Sequence, residues 1–188
     1  MEPGWPLCTP DRVFPDPPGR FGAERTYDIH TGIDLYCEPG TLVVAIEDGT
    51  VVAVEPFTGA WVLSDPSPWW NDTAVILVQG KTGVFAYGEV TPGSILVQAG
   101  DSVKAAQVLA RVEVPVLRQF KGRPTVMLHL ELYTGLPLQG SATVWWRRGA
   151  PCPPRLRDPT SVVEPRATSH FELQTYNGER YVVAPYRG

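Results

Sequence analysis

Three side chains in this sequence, His30, Asp34 and His129, are of types that hold a transition-metal ion, and they fall in two short segments. In His30-Thr31-Gly32-Ile33-Asp34 an imidazole and a carboxylate bracket a glycine, and in Met127-Leu128-His129-Leu130-Glu131-Leu132 a second imidazole sits between a thioether and a carboxylate. Two imidazoles and one carboxylate suit zinc, and a set of three protein ligands leaves a fourth position open for water or substrate. Each residue alone has a plainer reading. A lone histidine in a strand or loop is usually hydrogen-bonded or on the surface, and His30 with Asp34 can be a local turn pair.

The elements that must position these residues read as strands. Strand side chains repeat every two residues, so Met127, His129 and Glu131 share one face, while Val126, Leu128, Leu130 and Leu132 form an apolar face directed into a core. That alternation predicts His129 facing outward, toward a groove. Glu131, on the same face, is placed to orient a metal ligand, although a surface salt bridge is its plainer reading.

The chain has 188 residues, with 20 prolines and 18 glycines scattered between short Val-rich runs, which fits one domain of many strands and turns. A formal charge of −4, without any basic cluster larger than pairs such as Arg147-Arg148, argues against a nucleic-acid partner. No apolar run approaches the roughly 20 residues needed to span a bilayer. Met1-Glu2-Pro3-Gly4-Trp5-Pro6 does not resemble a secretion signal, so a soluble chain is expected. Cys8, Cys37 and Cys152 read as unpaired thiols, with a Cys8–Cys152 bridge as the alternative in an oxidising compartment. Secreted, virion-associated and cytoplasmic locations all stay open.

Residues 1–19, rich in proline and glycine, read as an irregular arm, residues 20–163 as the main domain, and residues 164–188 as an added C-terminal β-hairpin. Within the domain, Thr41–Ala45 and Thr50–Val54 flank Glu47-Asp48-Gly49 and are expected to pair as a hairpin. Ala74–Val78 and Gly83–Tyr87 predict a second hairpin, and residues 100–110 a turn with a further strand. Asn177-Gly178 is the strongest hairpin signal of the tail; His170, just before it, reads as a surface residue. Between the first two hairpins runs a long loop, Pro56 to Asp72, carrying Trp61, Trp69 and Trp70. Loops of that length are often functional, and its indoles either stack on a ligand or cap the sheet.

Taken in order, Phe21-Gly22, His30-Thr31-Gly32-Ile33-Asp34-Leu35, Pro39-Gly40-Thr41, Asp48-Gly49-Thr50-Val51, Gly100-Asp101-Ser102-Val103, His129-Leu130-Glu131-Leu132 and Asp158-Pro159 resemble the lysostaphin/LytM-type zinc endopeptidase family. The resemblance implies an all-β fold, a small antiparallel sheet akin to a barrel-sandwich hybrid with a groove. It also implies one zinc ion per chain, held by His30, Asp34 and His129, and hydrolysis of peptide bonds in bacterial cell-wall crosslinks. The groove is expected to meet its ligand through Tyr87, Trp61, Trp69 and Trp70.

The sequence departs from the family where a histidine precedes the strand ligand by two residues, here Met127, and where another follows a Tyr-x pair, here Glu89. Methionine neither moves a proton nor stabilises an oxyanion, whereas Glu89 could accept a proton from a metal-bound water. These departures imply a metal-binding, peptidase-like protein with weak or no hydrolysis that binds a peptide, a peptidoglycan fragment or a protein. The alternative is an active endopeptidase on cell-wall or Gly-containing peptides with Glu89 as general base. A remote alternative, a biotinyl or lipoyl carrier, needs a lysine at a tight turn; neither Lys81 nor Lys104 has that setting, and it leaves the three metal-competent residues unexplained.

Overall fold

The computed structural model describes residues 4–9, 18–119, 125–136, 144–163, 172–176 and 179–183. Eleven strands follow in chain order: β1 (Ile33–Tyr36), β2 (Thr41–Val44), β3 (Gly49–Thr58), β4 (Thr73–Gly80), β5 (Val84–Val90), β6 (Ser102–Val103), β7 (Val108–Val112), β8 (Met127–Tyr133), β9 (Leu156–Arg157), β10 (Glu172–Tyr176) and β11 (Glu179–Val183). Among the described residues the helical elements are two single 3-10 turns, Pro92–Ser94 and Pro159–Ser161. Among these residues no helix is long and apolar enough to cross a membrane. The fold class is all-β, as expected.

One open, seven-stranded antiparallel sheet carries the architecture, in the order β1-β8-β5-β4-β3-β6 with β9 also on β8. Strands β2 and β7 form a separate pair. The sheet is covered on both faces, which explains the unbroken apolar run of β4. Its Ala74, Ile76 and Val78 enter the main core with Phe85 and Tyr87 of β5, Leu128, Leu130 and Leu132 of β8 and Ile33 and Leu35 of β1. Val75 and Leu77 enter a second cluster on the opposite face with Val84, Ala86, Tyr133 and Leu156. The apolar face expected for β8 is therefore present. Its other face is not open to solvent: His129 is 7% exposed and Glu131 1%, because the second cluster continues toward them.

The expected pairing of Thr41–Ala45 with Thr50–Val54 does not form. Strand β2 pairs instead with β7, and β3 pairs with β4 and β6. Between β2 and β3 the chain passes over the core through buried Ala45 and Ile46. The buried Glu47 carboxylate then accepts the Thr82 N–H at 2.9 Å and its hydroxyl at 2.8 Å, tying the connection to the β4–β5 turn. The Asp48-Gly49 turn thus makes a corner between sheets. The second hairpin forms as read, with Val78 opposite Phe85. Residues 100–110 divide into β6 and β7.

Residues 4–8 lie beside β2, with Trp5 and Leu7 buried and a bridge from Leu7 to Val43. Strands β10 and β11 pair in register from Glu172–Val183 to Tyr176–Glu179. Asn177-Gly178 and His170 lie outside the described residues. All three cysteines are free thiols, so the alternative Cys8–Cys152 bridge is not formed.

Candidate metal centre

Antiparallel pairing of β1 with β8 sets Asp34 directly opposite His129. Because Ile33 and Leu35 point into the main core, Asp34 points to the opposite face, where His129 also lies. His30 arrives from the segment before β1. Gly32 lets that segment pass close to β8, since a Cβ there would stand 2.3 Å from the Leu130 carbonyl oxygen.

The three side chains converge. His30 Nε2 lies 3.1 Å from His129 Nδ1, His129 Nδ1 lies 2.9 Å from Asp34 Oδ1, and His30 Nε2 lies 3.1 Å from Asp34 Oδ1. All three residues are buried, and they form the metal-competent cluster found among the described residues. Tetrahedral zinc with bonds near 2.0–2.1 Å separates its ligand atoms by about 3.3 Å, so this triangle needs to open only slightly to take the ion.

Outer contacts determine which atom of each residue faces the triangle. His30 Nδ1–H donates to the Arg20 carbonyl at 3.0 Å, which leaves Nε2 with its lone pair inward. His129 Nε2–H donates to Glu131 Oε1 at 3.0 Å, which leaves Nδ1 inward. Glu131 is itself fixed by the Tyr133 hydroxyl at 2.6 Å and by the Thr31 hydroxyl, so it is a buried hydrogen-bond partner of His129 and not the surface salt bridge of the plainer reading. Asp34 Oδ2 is held by Arg25 Nη2 at 2.5 Å. Three successive carbonyls organise this corner: Pro18 accepts from Arg25, Gly19 from the Asp34 N–H at 2.8 Å, and Arg20 from His30. Pro18 and Gly19 lie on the arm side of the expected 19/20 boundary.

The charge states follow from these contacts. Burial works to raise the Asp34 carboxyl, but hydrogen bonds to His129 and His30 outweigh it and hold the group well below the usual carboxylate range. Burial works to lower His129, but Asp34 and Glu131 outweigh it and push the metal-free ring up to about 10. His30 is lowered, chiefly by burial. Without a cation, a proton shared by His129 and Asp34 relieves the repulsion among three inward lone pairs. A divalent ion can take its place.

Glu89 reaches the same face through a bulge. Ala74 pairs with Val90 and Ile76 with Tyr87, so Gly88 and Glu89 together oppose Val75. Tyr87 and Val90 both enter the main core, which leaves Gly88 and Glu89 to the other face. Glu89 takes a left-handed φ of 63° there. Its Oε2 accepts from Thr73 at 2.7 Å and from Thr58 at 3.0 Å, and Oε1 has no hydrogen bond among the described residues. Burial, opposed by these hydroxyls, pushes the carboxyl up to about 7. Gly88 pairs with His129, and its missing Cβ makes room for the Phe57 ring, 2.7 Å from where that atom would stand. Phe57 in turn lies against the His129 ring, with centroids 5.5 Å apart.

The remaining expected site residues are dispersed. Met127 is half-buried on the β8 face shared with His129 and pairs across to Tyr36. Tyr87 is not placed to meet a ligand: it is 1% exposed in the main core, and its hydroxyl accepts the Ile46 N–H at 2.9 Å. Its alternation with Phe85 on a doubly covered strand sends it inward. Trp61 anchors its loop, donating to the Thr58 and Thr73 carbonyls at 2.8 and 3.1 Å. Trp70 is half-buried, whereas Trp69 is 63% exposed.

An open antiparallel sheet with an imidazole–carboxylate–imidazole triangle on one face defines a metallopeptidase-like protein. Residues 28–140 match the model of peptidase family M23, and the chain belongs to that family. No curated protein matches the chain. Among solved structures, CbpA from L. salivarius REN is 18% identical at a TM-score of 0.50, covering 78% of this chain and 91% of its own. A zinc-containing peptidase from Vibrio cholerae is 20% identical at 0.49, over 71% of this chain and 37% of that one. LytU is 18% identical at 0.47, over 81% and 86%. This chain thus spans well under half of the Vibrio cholerae peptidase and 30% of Csd3 from Helicobacter pylori. At these identities the likeness concerns the fold.

Proposed function

We propose that this M23-family protein holds one zinc ion through His30 Nε2, Asp34 Oδ1 and His129 Nδ1, hydrolyses peptides weakly or not at all, and binds a peptide, glycan or protein partner across the site. One observation carries the reading. Each inward atom of the metal triangle is aimed by an outer contact, while the two positions where the family it resembles has histidines hold Met127 and a Glu89 tied to Thr58 and Thr73. Zinc bound there supplies Lewis acidity and an acidified water. Neither Met127 nor Glu89 offers the N–H or cationic donor that would stabilise a developing oxyanion. Of the three indoles in the loop before β4, Trp69 is the exposed one, available to a partner.

A second reading, an active endopeptidase, is favoured by Glu89 alone. Its unpaired Oε1 and a carboxyl near 7 suit a general base at neutral pH. A carrier role has no comparable support: Lys104 is paired with Asp48 at 2.9 Å, and family membership accounts for the metal-competent residues. The deciding experiment combines elemental analysis with hydrolysis of peptidoglycan and Gly-rich peptides. We expect about one zinc per chain, negligible turnover by the native protein, and a gain of turnover in the double variant Glu89→His, Met127→His. Robust native turnover that disappears in Glu89→Gln would establish the second reading instead.

A further inference from the structure

Arg25 stands at the rim of the metal centre with two of its five N–H donors, those of Nη1, unused among the described residues. Its Nη2 donates to Asp34 Oδ2 at 2.5 Å and to the Pro18 carbonyl at 3.1 Å, and its Nε also addresses Pro18 at 3.4 Å. Nη1 makes no hydrogen bond among the described residues, and the side chain is 32% exposed where Asp34 is 3% exposed. The guanidinium is therefore clamped through Nε and Nη2, and Nη1 is left as its free donor among the described residues.

A planar guanidinium held in this way is suited to a carboxylate. Its five N–H groups lie in one rigid plane, so holding Nε and Nη2 also fixes the direction of Nη1, and little further entropy is lost when an anion docks there. The clamp also specifies where the charge sits, since Asp34 Oδ2 touches Arg25 while Asp34 Oδ1 faces the metal position. Guanidinium and metal position are thus separated by one carboxylate group. With a divalent cation bound by two neutral imidazoles and Asp34, the centre carries one excess positive charge, to which Arg25 adds one; Glu131 offsets one of the two, and Glu89 on the same face offsets part of the other as it ionises. Among the described residues no basic group besides Arg25 is paired with the triangle, so anion preference on this face rests on one residue that sequence motifs alone do not single out.

We propose that Arg25 is the recognition residue of this centre, its free Nη1 donor binding a carboxylate of the ligand, and above all the C-terminal carboxylate of a peptide lying beside the metal. The inference rests on the zinc-holding reading above and gives the ligand of that site a chemical class. Under it, a ligand ending in a free carboxylate is preferred over the same peptide continued or capped, and this preference survives the loss of hydrolysis because it uses no catalytic group.

The test is a calorimetric titration of the full chain, zinc-loaded and metal-free, with N-acetyl-triglycine and with its C-terminal amide; acetylation keeps the peptide amine from chelating zinc. We expect the carboxylate form to bind at least tenfold more tightly than the amide, in keeping with a charge-assisted contact. Arg25→Met should abolish that difference. Arg25→Lys should retain the pairing with Asp34, fold and zinc content, yet also lose most of the difference, because an ammonium paired with Asp34 is a strongly hydrated, rotatable donor with no fixed direction toward the ligand. A native chain that binds acid and amide equally overturns the proposal, as does an unchanged preference in Arg25→Lys. Failure of the zinc reading is separately visible: a native chain without zinc in elemental analysis refutes that reading. An Arg25-dependent preference for the acid in the metal-free titration would then still support this one, and its absence would overturn it.

Discussion

Asp34 and Glu89 are carboxylates buried on the same face of one sheet, yet they are driven in opposite directions. Asp34 meets two imidazoles and the Arg25 guanidinium, and it is held ionised. For Glu89 burial outweighs the hydroxyls of Thr73 and Thr58 and the more distant charge of His129, and pushes the carboxyl up to about 7. Burial alone favours the neutral acid in both cases; a cationic or strongly donating neighbour reverses that for one of them. The backbone differs in the same sense. Asp34 sits in regular strand pairing opposite His129, whereas Glu89 occupies a bulge with positive φ, a conformation that costs a non-glycine residue on the order of 1 kcal/mol. The metal corner is built to fix a charge, and the Glu89 corner to keep a proton exchangeable.

The comparison breaks most sharply if Asp34 is removed. Asp34→Ala should lower zinc affinity by roughly a thousandfold, one ligand's share of a large total binding free energy. Competition against a chromophoric chelator measures it. Glu89→Gln should keep its zinc in the same assay; equal losses in the two variants would erase the distinction between the corners.

The next effect concerns pH and stability. A carboxyl raised from 4.5 to about 7 by folding stabilises the fold fully below pH 4.5, and that contribution is lost as the pH rises through about 7. Glu89 should therefore cost the native chain about 3 kcal/mol between those limits, because each pH unit separating them is worth about 1.36 kcal/mol. Asp34 has the opposite sign, since its lowered carboxyl stabilises the fold above its usual 3.8 and ceases to do so as pH falls. Urea unfolding of native chain and Glu89→Gln from pH 4.5 to 8 should show the variant gaining relative to the native chain as pH rises. Parallel curves would mean that Glu89 titrates normally.

The metal-competent cluster was legible because each segment carries its own pattern: a glycine between His30 and Asp34, and strict alternation around His129. The β4–β5 hairpin was legible for a similar reason, as its strands are adjacent in sequence and joined by a short turn. The β2–β3 hairpin misled because the Asp48-Gly49 turn is a local signal, while β2 is claimed by the distant β7 and the connection is pinned by Glu47 to Thr82. Tyr87 misled in another way. Its family position suggested a groove, but its alternation with Phe85 already placed it on a core face. Tyr133 could have been found, being two residues beyond Glu131 on the same face. Arg25, the carbonyls of residues 18–20 and the Thr58–Thr73 pair could not, because loop approaches and a bulge leave no periodic mark.

A smaller effect separates ligand from ligand support. Glu131→Ala should weaken zinc binding by about tenfold to a hundredfold, as for other outer partners of metal-bound histidines, without abolishing it. The loss acts through His129, whose Nε2–H would have no acceptor to fix the ring. Chelator competition on Glu131→Ala and Asp34→Ala side by side checks the order; a loss as large as that of Asp34→Ala would make Glu131 a direct ligand.

The smallest effect sharpens the Glu89 corner. Thr73 is fully buried, and its hydroxyl makes the shorter of the two contacts with Glu89 Oε2 while also lying 2.6 Å from Thr58 Oγ1. Thr73→Val keeps the shape and removes the donor, so the remaining hydroxyl must serve Oε2 alone. The cost should be about 1 kcal/mol, one neutral hydrogen bond lost while the acceptor keeps a partner. Because that hydroxyl favours the ionised form, its loss should also move the Glu89 titration upward, and the destabilisation should be larger at pH 8 than at pH 5. Urea midpoints of Thr73→Val at those two pH values test both statements. A loss that does not depend on pH would show the threonine to be a packing residue, with no hold on the Glu89 proton.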